Sequence, residues 1–161
     1  MTNKEQLIRE RLDSSLQKCS IHLNRLHYAS SQVYMLFPLT SATYRTFSEA
    51  TIGNIDQLIF RFTKLQDELG NNTFRLLLDY LQEDIADKPF RDILNILERL
   101  NIIESADTWL SLRELRNDLT HEYPELIDET IDKLNHLYLQ LPLLENILTI
   151  IKQQCSNCDP H

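Results

Sequence analysis

The sequence predicts an all-α, up-and-down bundle of five to six helices folded as one domain. Two observations carry this. Of 161 residues only two are glycine and five are proline, too few turn formers for a β-rich fold of that length. Leucine and isoleucine recur at three- and four-residue spacings over long stretches, the period of a helix with one buried face. A 42% apolar and 25% charged composition is ordinary for a globular chain, and the length suffices to bury a core without covalent staples. Residues 1–154 are assigned to the bundle and residues 155–161 to a flexible C-terminal tail.

The first helix is expected over residues 3–37. Leu12, Leu16, Cys19, Leu23, Leu26 and Val33 form its stripe, and Pro38 stops it. A second helix should begin at the capping box Thr46-x-x-Glu49 and carry Ile52, Ile55, Leu58, Ile59, Phe62, Leu65 and Leu69 inward. Gly70 stands where a helix-terminating glycine belongs. Thr73 then caps a short third helix bearing Phe74, Leu77, Leu78, Leu81 and Ile85. Pro89 suits the first turn of a fourth, with Ile93, Leu94, Leu97 and Leu100 inward. Ser105 is a good N-cap for a fifth, which Pro124 ends. A last helix follows, with Ile127, Ile131, Leu134, Tyr138 and Leu141 on one face and Pro142 expected to kink or split it.

Charge and cysteine content narrow the function classes. A net charge of −8 argues against a surface wholly given over to nucleic acid, though a local basic site remains compatible with it. Three cysteines cannot close a disulfide framework, and the first ten residues are charged rather than signal-like, so a cytoplasmic location is expected. No Lys, Arg, Asp or Glu occurs between Arg25 and Arg45. That stretch is still too polar to span a bilayer, so no membrane partner is expected. It reads either as a buried helix end with its loop, or as a dimer or partner surface built on Tyr28, Tyr34, Phe37, Tyr44 and Phe47. Cys155, Cys158 and His161 have the spacing of three zinc ligands but lie at the chain terminus, where a frayed tail is the simpler reading. His22, His27 and His136 have no ligand-spaced acidic or Cys partners and read as structural. Glycine-rich phosphate loops, nucleophile elbows and His-Glu-x-x-His are absent from the sequence.

The informative run is LRELRNDLTHEYP, residues 112–124. It contains Arg116, Asn117, His121 and Tyr123 in the pattern Arg-x4-His-x-Tyr. Cleaving RNA without a metal drives the 2′-hydroxyl onto the adjacent phosphate. That step needs a base near neutral pH, an acid for the leaving oxygen and a cation for the phosphorane charge. Histidine fits the first two roles. Arginine fits the third as a permanent planar donor fork. Asn117 can orient the phosphate or the imidazole, and Tyr123 can hydrogen-bond or stack on a base. The same residues also have plain structural readings: ion pair, helix-end cation, core aromatic, surface amide. At about 100° per residue, Arg116 and His121 stand about 140° apart on an ideal helix. They would therefore converge across a two-fold axis, or within one chain if the helix end is distorted.

The pattern resembles the signature of HepT toxins, a branch of the HEPN family. The layout is similar too, with a long first helix and the motif at the end of a late one. The resemblance implies a metal-independent endoribonuclease that needs no cofactor, acts on RNA (tRNA is one candidate) and works as a homodimer. Arg116 and His121 would be its catalytic pair and Asn117 a supporting residue. It further implies an MNT-type nucleotidyltransferase antitoxin that transfers AMP to Tyr123. The alternative is a non-catalytic helical subunit that docks such a nucleotidyltransferase. Local charge departs from expectation, because residues 105–125 set Arg113 and Arg116 against Asp107, Glu114, Asp118, Glu122 and Glu125.

Overall fold

A computed structural model describes residues 2–121 and 127–157. Among these the chain is an all-α helical bundle without strands. Helix α1 spans Asn3–Val33 and opens on a full capping box between Thr2 and Glu5. It ends at Val33, the last residue of the stripe and four before the expected end at Phe37, because Tyr34–Leu36 tighten into a 3₁₀ turn ahead of Pro38. Short-range bonds then shape the loop. Thr40 caps a single-turn helix α2, Ser41–Tyr44, through a box with Thr43. Thr46 is not the next cap. Its hydroxyl donates to the Thr43 carbonyl at 2.6 Å, and Ser48 caps α3, Glu49–Glu68, by accepting from the Thr51 N–H.

The expected break at Gly70 does not occur. Residues Leu69–Thr73 form a π turn that carries α3 directly into α4, Phe74–Tyr80. Gly70 is needed there for close approach rather than for helix termination. A Cβ at this position would stand 3.2 Å from the Trp109 ring. Thr73 is likewise no N-cap. Its buried hydroxyl bonds the Glu68 carbonyl at 3.1 Å and the Ser15 hydroxyl at 2.7 Å, closing the wider turn from inside. Left-handed Gln82 and Asn101 terminate α4 and α5 in place of glycine, each followed by a backbone bond to the residue five back. Helix α5, Phe90–Arg99, starts just after Pro89, which serves as its N-cap residue. Ser105 caps α6, Ala106–Thr120, as the sequence predicts, accepting from the Thr108 N–H at 3.0 Å.

Helix α7, Ile127–Asn157, passes through Pro142 without being split. Buried Leu134 and Leu137 before the proline, and Leu144, Ile147, Leu148 and Ile151 after it, hold both halves to the core. That packing outweighs the lost backbone donor. The helix also runs past the expected start of the tail, and Cys155 is buried in the core. Cys158 and His161 lie outside the described residues.

Helix α1 lies along α3 and α4, and α6 is seated between α3, α5 and α7. The main core joins Leu12, Leu16, Phe62, Leu65, Phe74 and Leu77 to Trp109, whose ring meets Phe74 edge-on at 4.6 Å. Part of the aromatic stretch packs into the fold. Phe37 stacks on Tyr138 at 4.1 Å, and Asn135 clamps the Leu39 backbone with both amide atoms. Tyr28 and Tyr34 remain exposed. His22 accepts from Arg61 at 3.0 Å and His27 meets Glu145 at 3.1 Å, while His136 is exposed. Among the described residues no helix is long and apolar enough to cross a membrane.

Burial pushes the Cys19 thiol from 9.0 up to about 11, against a weak opposing bond from Thr73. The folded chain thus holds this proton more tightly than the unfolded chain. Stability should fall as pH rises from about 9 towards 11, by about 2–3 kcal/mol from this group. Denaturant melts across that range should show a shallower decline in Cys19→Ala than in the parent. Equal slopes would remove Cys19 as the cause.

Candidate functional site

Helix α6 carries three of the four motif residues within its frame or at its end. Trp109, Leu112 and Leu115 bury one face, which turns the adjoining Arg113, Arg116 and Asn117 towards α3 and the π turn. These residues follow three- and four-residue spacing from Trp109, so they share one side of the helix. They line a cleft of about 410 Å³ together with Gln66, Asp67, Gly70, Asn71, Arg75 and Phe90. Its lining is polar and carries three guanidinium groups.

Arg116 is held in a bidentate pair with Asp67. Its Nε donates to Oδ1 at 3.0 Å and its Nη2 to Oδ2 at 2.8 Å. The remaining Nη1 donates to the Asn117 side-chain oxygen at 3.3 Å. Both members of the pair are about one-third exposed, with side-chain accessibilities of 28% and 32%. Such fork-to-carboxylate geometry fixes the plane of the guanidinium. Arg113 lies 5.3 Å over the Phe90 ring, which orients a second guanidinium at the cleft rim. Trp109 forms part of the wall, and its buried indole N–H has no acceptor among the described residues.

His121 does not share this cleft. Helical geometry ends at Thr120, and His121 takes an extended conformation at φ −89° and ψ 127° as the C-cap. It lines a separate depression of about 40 Å³ with Asp118, Leu119, Ile59, Glu129, Thr130 and Lys133. Arg116 and Asn117 are therefore brought together, while Arg116 and His121 line different depressions of the same chain. Tyr123 lies outside the described residues.

Sequence reasoning on the motif alone misses Asp67, Asn71, Arg75 and Phe90, because they reach the cleft from other elements. Arg113 was detectable, since it shares a helix face with Arg116 and Asn117. Among the described residues no group of three or more His, Cys, Asp or Glu side chains is placed to hold a metal ion. No family model, curated protein or solved structure matches the chain.

Proposed function

We propose that the chain is a HepT-like toxin of the HEPN kind: a metal-independent endoribonuclease that works as a homodimer in the cytoplasm. An MNT-type nucleotidyltransferase would neutralise it by placing AMP on Tyr123. The observation that supports this reading best is the cleft itself. An acidic chain gathers Arg75, Arg113 and Arg116 with Asn71 and Asn117 around one polar hollow. Guanidinium forks beside amides suit a phosphodiester.

In the reaction, the imidazole of His121 takes the proton of the 2′-hydroxyl. The 2′-oxygen bonds to phosphorus, and the bond from phosphorus to the 5′-oxygen breaks. The imidazolium so formed then returns that proton to the departing 5′-oxygen. Arg116 stabilises the charge that builds on the phosphorane. The products are a 2′,3′-cyclic phosphate and a 5′-hydroxyl.

A second reading, the non-catalytic subunit that docks a nucleotidyltransferase, is favoured by one feature. Asp67 occupies two donors of Arg116 and His121 lines another depression.

Expression separates the two. The chain alone should arrest growth, and co-expression of an MNT-type nucleotidyltransferase should relieve it. Mass spectrometry should then find AMP on Tyr123, joined when the tyrosyl oxygen displaces pyrophosphate from ATP. Tyr123→Phe should stay toxic in the presence of the antitoxin. Harmless expression of the chain alone would favour the docking subunit. Silencing with Tyr123 unmodified would mean inhibition by binding.

A further inference from the structure

We propose that the Arg116 cleft is one end of a longer track that holds single-stranded RNA, crossing the π turn to the basic face of α1. The proposal rests on the ribonuclease reading above and names where its substrate would lie beyond the scissile bond. Its basis is a second depression, of about 440 Å³, between α1 and the π turn. Arg11 and Lys18 line it from α1, and Asn71 and Arg75 line both hollows. The two hollows thus adjoin at the π turn, with Asn71 and Arg75 reaching both.

Charge along this path is opposite to that of the whole molecule. Five cations face two carboxylates there, on a chain of net charge −8. Both carboxylates are already engaged: Asp67 by Arg116, and Glu68 by Ser15 at 2.8 Å and Asn72 at 3.1 Å. Arg11, Lys18 and Arg75 carry no ion pair among the described residues. Arg11 and Lys18 are two turns apart, about 10 Å along α1, on the same face.

A row of cations spaced along a groove suits a polyanion better than a single phosphate. Arg113 over Phe90 adds a flat surface on which a base can stack.

Binding should be measured on the full chain with labelled 2′-O-methyl RNA, which cannot be cleaved, as a tetramer and as a dodecamer. Arg75→Glu and Lys18→Glu should each weaken the dodecamer by about tenfold. Each cation removed should also lower the log–log slope of affinity against salt by about 0.7. Lys18→Glu should weaken the tetramer far less. Lys18 is exposed on a long helix, so that variant reports even if Arg75→Glu misfolds by circular dichroism. Dodecamer binding unchanged in Lys18→Glu and Arg11→Glu, or displacement by polyglutamate as readily as by RNA, overturns the track. Wild-type chain that binds the dodecamer, with the variants weakened, yet never cuts ordinary RNA, supports the track and contradicts the cleavage reading alone.

Discussion

Arg116→Ala and His121→Ala should each remove RNA cleavage while leaving the helical bundle folded. Loss of the general acid–base histidine is expected to slow the reaction by about 10²–10⁴-fold. Loss of the phosphorane-stabilising guanidinium should cost about 10²–10³-fold. The two substitutions differ in their structural cost. His121 is exposed at the end of α6, so its removal takes nothing out of the core and should leave the bundle folded. Removing Arg116 leaves the Asp67 carboxylate without its bidentate partner, about one-third exposed, and should cost about 1 kcal/mol. Arg116→Lys keeps the charge but not the fork, and should recover little activity. Cleavage assays alongside thermal melts separate the outcomes. If activity disappears only as far as the melting temperature falls, both residues are structural.

Equal mixtures of the two inactive variants should regain activity. Arg116 and His121 line different depressions of one chain, so a working site is expected to draw one from each protomer across a two-fold axis. An isologous interface places the same residues opposite one another twice. In a heterodimer of the two variants, one composite site is then intact and the other doubly defective. Random exchange at equal concentrations should restore about one quarter of wild-type activity. Mixtures that stay inactive after verified subunit exchange, or a fully active monomer, would exclude a composite site.

The helical stripes were legible because burial follows a strict period. Leu12, Leu16, Cys19, Leu26 and Val33 on α1, Ile55, Leu58, Phe62 and Leu65 on α3 and Leu69 at the start of the π turn are all buried as that period requires. Punctuation was less legible, since it depends on partners distant in sequence. Gly70 carries the composition of a helix end, yet Trp109, from a helix far along the chain, claims the space where a side chain would be. Thr73 could cap a helix, yet Ser15 on α1 takes its hydroxyl into the core. Pro142 is a local helix breaker overruled by the leucines and isoleucines on either side. Thr46 could cap α3, yet its hydroxyl bonds the Thr43 carbonyl and Ser48 caps the helix instead.

The candidate site was half legible for the same reason. The α6 side of the cleft reads directly as Trp109, Arg113, Arg116 and Asn117 on one face. Asp67, Asn71 and Arg75 come from α3, the π turn and α4, and Phe90 from α5. Nothing in their local sequence marks them as neighbours of the motif. Arg116 and His121 stand apart for a reason other than the expected helix angle: His121 leaves the helix in an extended conformation and lines another depression.

Transphosphorylation without a metal fixes the chemistry of the product's ends. Purified protein incubated with RNA in excess EDTA should yield fragments carrying 2′,3′-cyclic phosphate and 5′-hydroxyl ends, at the rate seen without chelator. Intact RNA, or cleavage that requires added magnesium and leaves a 3′-hydroxyl, would contradict the account.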